Sequence, residues 1–258
     1  MTATPHFDLS NRTVLVTGAS SGLGVQFART LSKAGANLVL AARRIDRLAA
    51  LKAELEAAGG RALAVEMDVA AETSTKAAYD AAEAAFGGVD SVIANAGMNS
   101  EGSVLDLAVD EFDALMAVNL RGVFLTAREG ARRMIAADSA TRGHGRIVLV
   151  SSITAHHVTG FLAAYSASKA AVIQMGKVMA LEWSRKGVNV NSICPGYIST
   201  ELNADWFAGE GGAKQISRWP RRRLMTADSL DAMALYLACD ASAAITGSSF
   251  TLDDGQSL

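Results

Sequence analysis

Thr13-Val14-Leu15-Val16-Thr17-Gly18-Ala19-Ser20-Ser21-Gly22-Leu23-Gly24 decides the fold of this chain. The first five residues are apolar or β-branched, the composition of a parallel strand buried on both faces. Glycines then punctuate the chain, and from Leu23 to Ala34 apolar residues recur at helical spacing. A strand that enters a helix through a glycine turn opens a βαβ unit. The unpaired N–H groups and the dipole at such a helix start favour an anion, and glycine lets the pyrophosphate of a dinucleotide come close. In this context the turn is a cofactor signal rather than a simple loop. Gly18, Ser20, Ser21, Gly22, Leu23 and Gly24 are the candidate contacts.

The next strand, Asn37-Leu38-Val39-Leu40-Ala41, leads into Ala42-Arg43-Arg44. A protein that prefers NAD usually carries an acid at the end of this strand, to bond the adenosine ribose. Here Ala42 takes that place, and guanidinium groups suit a 2′-phosphate because they bind it bidentately and stay charged. The expectation is NADP(H), with NAD(H) possible and Arg43 as the phosphate ligand; solvated arginines opening a helix are the competing reading. Further along, Asp68 and Val69 follow an apolar run, and Asp68 could also cap a helix beginning near Glu72. Strands and helical segments alternate up to Val188–Ile193, and a seventh strand is expected at Ser249 to Leu252. That alternation is the signature of a parallel, doubly wound α/β sheet. The polar stretch Asp138 to Gly145 reads as a surface loop.

A second set of residues carries chemistry. Ser152 closes the apolar strand Ile147-Val148-Leu149-Val150-Ser151, at the carboxyl end where open α/β sheets place their sites. Tyr165 and Lys169 stand four residues apart in a predicted helix, one turn from each other on one face. A free tyrosine has a pKa of about 10, too weak a base at neutral pH. An ammonium about 4 Å away, at an effective dielectric of about 20, would favour the phenolate by about 4 kcal/mol. Tyr165 is thus a candidate acid/base, with the Ser152 hydroxyl available to a substrate oxygen.

Taken in order, these elements resemble the short-chain dehydrogenase/reductase family over nearly the whole chain. The family's TGxxxGxG element is Thr17 to Gly24, its Asn-Ala-Gly element is Asn95-Ala96-Gly97, and its Pro-Gly element is Pro195-Gly196. The resemblance implies one Rossmann-like domain over residues 1–258, with about seven mostly parallel strands and helices on both faces. It implies Tyr165 as general acid/base and Lys169 as the group that lowers its pKa and holds the nicotinamide ribose. Ser152 would orient the substrate oxygen, and Asn119, within Val118-Asn119-Leu120, would hold a water leading from Lys169 to solvent. Asp68 with Val69 would lie beside the adenine, Asn95, Ala96 and Gly97 along the dinucleotide, and Ile198 and Thr200 at the carboxamide. Two departures stand out: Ala94 precedes Asn95 where a second asparagine is common, and the tail reads Asp253-Asp254-Gly255-Gln256 where Asp-Gly-Gly is common.

At 258 residues, half of them hydrophobic, the chain can build a large core without disulfides or metals. A net charge of −2 with scattered basic residues argues against nucleic acid as the main partner, and Arg221-Arg222-Arg223 reads as solvated. Cys194 and Cys239 lack metal spacing and read as buried, reduced thiols of a cytoplasmic protein. No signal peptide or membrane-length apolar run is visible. The helices around 112–134 and 165–183 are apolar over much of their circumference; the resemblance implies a dimer interface there and a carboxyl-terminal strand that often completes a tetramer, so a homo-oligomer is expected.

Substrate choice should rest on 97–103, 153–162 and a glycine-broken stretch, about 198–224, read as a lid or as ordinary packing. His157 and Trp206 are its candidate substrate contacts, and no metal site is expected. The implied activity is interconversion of a ketone and a secondary alcohol on a fairly apolar small molecule. A 3-oxoacyl thioester reductase and a non-catalytic, dinucleotide-binding sensor are the alternatives.

Overall fold

Strand residues alternate between two cores. Val14 and Val16 of β1 (Thr13–Thr17) join one apolar cluster while Leu15 joins the other; Leu38 and Leu40 against Val39 do the same in β2 (Asn37–Ala42). A strand buried on both faces must be covered on both, and the connecting helices do this. The first cluster takes Phe27 and Leu31 from α1 (Gly22–Lys33), together with Leu48, Leu51 and Leu55 from α2 (Ile45–Ala57). After β3 (Arg61–Glu66), the second takes Tyr79 and Ala82 from α3 (Glu72–Phe86).

The computed structural model describes residues 7–199 and 203–258. Beyond α3 the order continues with β4 (Ser91–Ala94), α4 (Val109–Met116), α5 (Val123–Ala136), α6 (Ser139–Arg142), β5 (Gly145–Val150) and α7 (Ala163–Trp183). It ends with β6 (Val188–Pro195), α8 (Ala204–Ala208), α9 (Glu210–Arg218), α10 (Asp231–Ala238) and β7 (Ser249–Leu252). The strands form one sheet ordered β3-β2-β1-β4-β5-β6-β7, and every neighbouring pair is parallel. This is the doubly wound fold expected from the alternation. Its strand order reverses between β1 and β4, so a crevice opens at their carboxyl ends.

Two expectations need correction. The stretch 138–145 is not a plain loop: Ser139–Arg142 make a short helix, Ser139 Oγ donates to the Lys186 carbonyl at 2.5 Å, and Gly145 already belongs to β5. Asp68 does not cap α3. The Ncap there is Ala71, and Asp68 Oδ1 instead accepts from Ala70 N–H at 3.0 Å in a local turn. An Asx-type turn satisfies the carboxylate closer to home than the helix end does.

Candidate active site

The crevice is a continuous cleft of about 1150 Å³ running from Arg43 and Arg44 to Trp206. Its floor begins at the glycine turn. Gly18 has φ +68°, and a Cβ there would stand 2.9 Å from Asn95 Nδ2 and 3.0 Å from Ala96 Cα. A Cβ at Gly24 would lie 2.2 Å from the Gly18 carbonyl oxygen. Both positions are closed to larger residues by backbone. Ser21 is the Ncap of α1 but makes no side-chain cap, so its hydroxyl leaves the first N–H groups of the helix to a ligand.

Sequence reasoning singled out Arg43; the structure brings Arg44 to the glycine turn. Its Nε and Nη2 donate to Ser20 Oγ at 3.1 and 2.9 Å, and Nη2 donates to Ser21 Oγ at 2.7 Å. Arg43 lines the cleft as well, beside Ala42. The signal for Arg44 was present in the Arg-Arg pair, but which arginine turns inward depends on where the strand ends. Asp68, Val69, Asn95, Ala96, Gly97, Pro195, Gly196 and Ile198 all line the same cleft. Thr200, with Leu202, lies outside the described residues.

At the other end, Ser152, Tyr165 and Lys169 line the cleft together. Ser152 lies two residues past β5 as the Ncap of a short 3-10 turn, and its Oγ accepts from Thr154 N–H at 3.2 Å and Thr154 Oγ1 at 3.1 Å. Lys169 is buried, and its Nζ donates to the Val150 carbonyl at 2.9 Å. Asn119 is fully buried in a π-turn, Ala117–Gly122, between α4 and α5. Such turns widen a helix locally and turn a side chain inward. Asn119 does not bond its own helix: Oδ1 accepts from Met98 N–H at 2.8 Å, and Nδ2 donates to Met98 O at 2.9 Å and Ser168 Oγ at 3.3 Å. A Cβ on Gly97 would lie 3.4 Å from Asn119 Oδ1 and 3.5 Å from Lys169 Nζ, so these two polar groups face one small space.

The short chain dehydrogenase family profile matches residues 12–211. The chain belongs to this family. It is similar to the D-threitol dehydrogenase of Mycolicibacterium smegmatis, 34% identical over 98% of this chain and 95% of that protein. It also resembles 3beta-hydroxysteroid dehydrogenase 1 of Eggerthella lenta, 36% identical over 97% of this chain and 95% of that one. Among solved structures it superposes on a gluconate 5-dehydrogenase from Burkholderia cenocepacia, in complex with NADP and tartrate. That match has a TM-score of 0.91, 34% identity and 97% coverage of each chain. The enzyme is thus an oxidoreductase acting on alcohol groups, on the family's dinucleotide-binding fold.

Tyr197 escaped sequence reasoning, whereas Asn99 and Glu101 lie in the stretch 97–103 expected to bear on substrate choice. Tyr197 lines the cleft, stacks on Trp219 (5.3 Å between centroids, 23° between planes) and meets Phe207 edge-on at 5.7 Å. It directly follows Pro195-Gly196 at a strand's carboxyl end, a signal that was available. Glu101 and Asn99 line the opposite wall, joined by a 2.7 Å hydrogen bond. Trp206 lines the cleft as expected; His157 is not among the lining residues, its backbone N–H instead closing the turn onto Ile153 O at 2.8 Å.

Burial dominates the Tyr165 pKa. Burial raises the Tyr165 pKa above the ordinary tyrosine value, a hydrogen bond from Ser152 opposes that shift, and nearby Tyr197 adds to it. The ammonium lies 5.5 Å from the centre of the Tyr165 ring and donates to the Val150 carbonyl. Burial also lowers the Lys169 pKa to about 8. Tyr165 is therefore protonated at neutral pH, and Lys169 is the group that titrates nearby. Ketone-reducing kcat/KM, which reports the free enzyme, should be flat on the acid side and fall as pH rises through about 8, where Lys169 loses its charge. Lys169→Arg should abolish that alkaline fall, whatever its plateau; a parent profile level to pH ~9.5 would show that the Lys169 charge is not required.

Proposed function

We propose that the enzyme interconverts a ketone and a secondary alcohol on a fairly apolar small molecule, using NADP(H). The observation that carries this reading is the convergence of Ser152, Tyr165 and buried Lys169 in the cleft that begins at the glycine turn. When bound, the nicotinamide supplies or accepts hydride. The chain's own residues do the rest. Ser152 holds the substrate oxygen and Tyr165 donates its proton to that oxygen in reduction, or takes it in oxidation. Lys169 binds the nicotinamide ribose, and Asn119 holds a water in the space it shares with the ammonium. Asp68 and Val69 contact the adenine. Asn95 to Gly97, Pro195, Gly196, Ile198 and Thr200 line the dinucleotide.

The glycine turn fits a pyrophosphate because an uncapped helix start faces a floor that only glycine permits. Arg43 and Arg44 favour a 2′-phosphate, and Ala42 leaves it room. In the substrate half, Trp206, Phe207, Phe161 and Tyr197 with the Glu101 carboxylate favour an uncharged apolar substrate over an acid. Residues 198–224 act as the substrate lid. The exposed apolar side chains Phe112, Phe124, Val178 and Leu181 on α4, α5 and α7 support a homo-oligomer, dimer or tetramer. Buried free thiols at Cys194 and Cys239 are consistent with work in the cytoplasm. Among the described residues no helix is long and apolar enough to cross a membrane.

Purified enzyme should consume NADPH with some member of a panel of cyclic, aryl and steroidal ketones and 3-oxoacyl thioesters. Tyr165→Phe should then lose about two to four orders of magnitude in turnover while still binding NADPH. Turnover within about tenfold of the parent would remove Tyr165 from the reaction. A protein that binds NADPH but turns over no carbonyl or alcohol would instead be a sensor.

Cofactor choice is tested separately. Arg43→Ala and Arg44→Ala should each weaken NADPH by about ten- to a hundredfold, the worth of a charge-assisted hydrogen bond, and NADH far less. Ala42→Asp should move preference further towards NADH, by repelling the phosphate and accepting from the ribose. A parent enzyme with higher kcat/KM for NADH would overturn the assignment.

A further inference from the structure

The excursion between β6 and α10 leaves and rejoins the sheet through a narrow neck. Ile198 and Met225 form an isolated parallel bridge; Met225 N–H donates to Tyr197 O and Ser199 N–H to Met225 O, both at 3.1 Å. Between them lie α8 and α9, which carry Trp206 and Phe207 to the cleft. Both arms of this neck are held by one side chain from the far end of the sequence. Gln256 Oε1 accepts from Tyr197 N–H at 2.6 Å, and its Nε2 donates to Tyr197 O at 3.2 Å and to Arg223 O at 3.4 Å.

The tail is itself built to present that amide. Asp253 Oδ1 accepts from Gly255 N–H at 3.0 Å and Oδ2 from Ser257 N–H at 2.9 Å, which folds residues 253–257 into a tight turn. Gly255 has φ +81° within that turn. Asp254 reaches the neck's outer side, where Oδ1 pairs with Arg221 Nε at 3.0 Å and Oδ2 with Arg223 Nε at 2.7 Å. Gln256 is buried, and a Cβ on Gly196 would approach its Oε1 to 2.4 Å. The basic run at 221–223 and the unusual Asp-Asp-Gly-Gln tail, unconnected in sequence, therefore meet in one device.

We propose that the carboxyl-terminal tail latches the substrate lid, with Gln256 as the positioning residue that fixes Tyr197 and the neck. Tyr197 is the link from latch to substrate. Its backbone is gripped by Gln256 while its ring lines the cleft and stacks on Trp219 within the lid. A buried amide making three bonds to backbone groups contributes more than the exposed Asp254 pairs, which solvent screens. Releasing Gln256 frees Tyr197, Trp219 and the lid helices together and leaves the glycine turn untouched. Substrate binding suffers more than cofactor binding, because most of the proposed dinucleotide contacts lie away from the neck. The kinetic consequence rests on the carbonyl–alcohol activity proposed above; the state of Trp219 does not.

Trp219 is only 7% exposed and so reports the latch without substrate. In the full chain carrying Trp183→Phe and Trp206→Phe, it is the sole remaining tryptophan of three. Gln256→Ala in that background should raise acrylamide quenching of Trp219 by about threefold or more, as expected for local opening of a packed segment. With Trp183 and Trp206 intact, Gln256→Ala should keep the NADPH dissociation constant within about twofold and raise ketone KM about fivefold or more, with a smaller change in kcat. Gln256→Glu keeps the acceptor for Tyr197 N–H but loses both donors, and should fall between. Unchanged quenching in Gln256→Ala, or NADPH affinity lost in step with it, overturns the proposal. Should Gln256→Ala not fold, Asp254→Asn decides: a measurable rise in Trp219 quenching supports the latch and none overturns it. If the parent turns over no ketone, the activity reading fails while the quenching comparison still judges the latch.

Discussion

A knot of hydrogen bonds between the ends of β1 and β4 sets the position of everything in the cleft. Thr17 Oγ1 accepts from Asn95 N–H and Ala96 N–H, both at 3.0 Å, and Asn95 Nδ2 donates to Thr17 O at 2.9 Å. The ladder between these strands ends at Val16 and Ile93, so beyond it their carboxyl ends are not paired with each other. The side chains of Thr17 and Asn95 replace that ladder. They bring the two turns so close that Gly18 tolerates no Cβ, and they satisfy buried N–H groups that would otherwise cost about 1–3 kcal/mol each. Gly97 follows from the knot, and against Gly97 lie Asn119 and Lys169.

The catalytic end trades stability for chemistry. An ammonium buried on the floor of the cleft carries a desolvation penalty, visible as a Lys169 pKa lowered to about 8 from 10.5. A depressed lysine pKa makes the folded state less stable below the folded value, and the penalty fades as pH rises towards the unfolded one. The Val150 carbonyl offsets part of it. Tyr165, which lines the same cleft, has its pKa raised by burial and keeps its proton at neutral pH.

Much of this was legible in the chain. The β-branched run at 13–17, the glycine turn and the alternation of strands and helices dictate a parallel sheet, because residues buried on both faces leave no other arrangement. The cleft-lining set at Ser152, Tyr165 and Lys169 was readable from strand end and helix spacing. What stayed hidden depends on geometry that spacing does not encode. Arg44 rather than Arg43 grips the glycine turn because of where β2 stops. The widened helix turn around Asn119 has no periodicity to read. The Lys169–Tyr165 pair looked close in sequence, yet the ammonium donates to the Val150 carbonyl and burial dominates the Tyr165 pKa. Gln256 and Tyr197 lie 59 residues apart, and nothing local announces that they meet.

If the knot sets the cleft, removing its acceptor must damage dinucleotide binding without unfolding the sheet. Thr17→Val keeps the β-branched shape and deletes the hydroxyl. Fluorescence titration with NADPH, alongside circular dichroism of the same samples, measures this directly. A native spectrum with NADPH affinity reduced about tenfold or more is the predicted result. Affinity within about twofold of the parent, with the fold intact, would contradict the claim that Thr17 and Asn95 position the cofactor cleft.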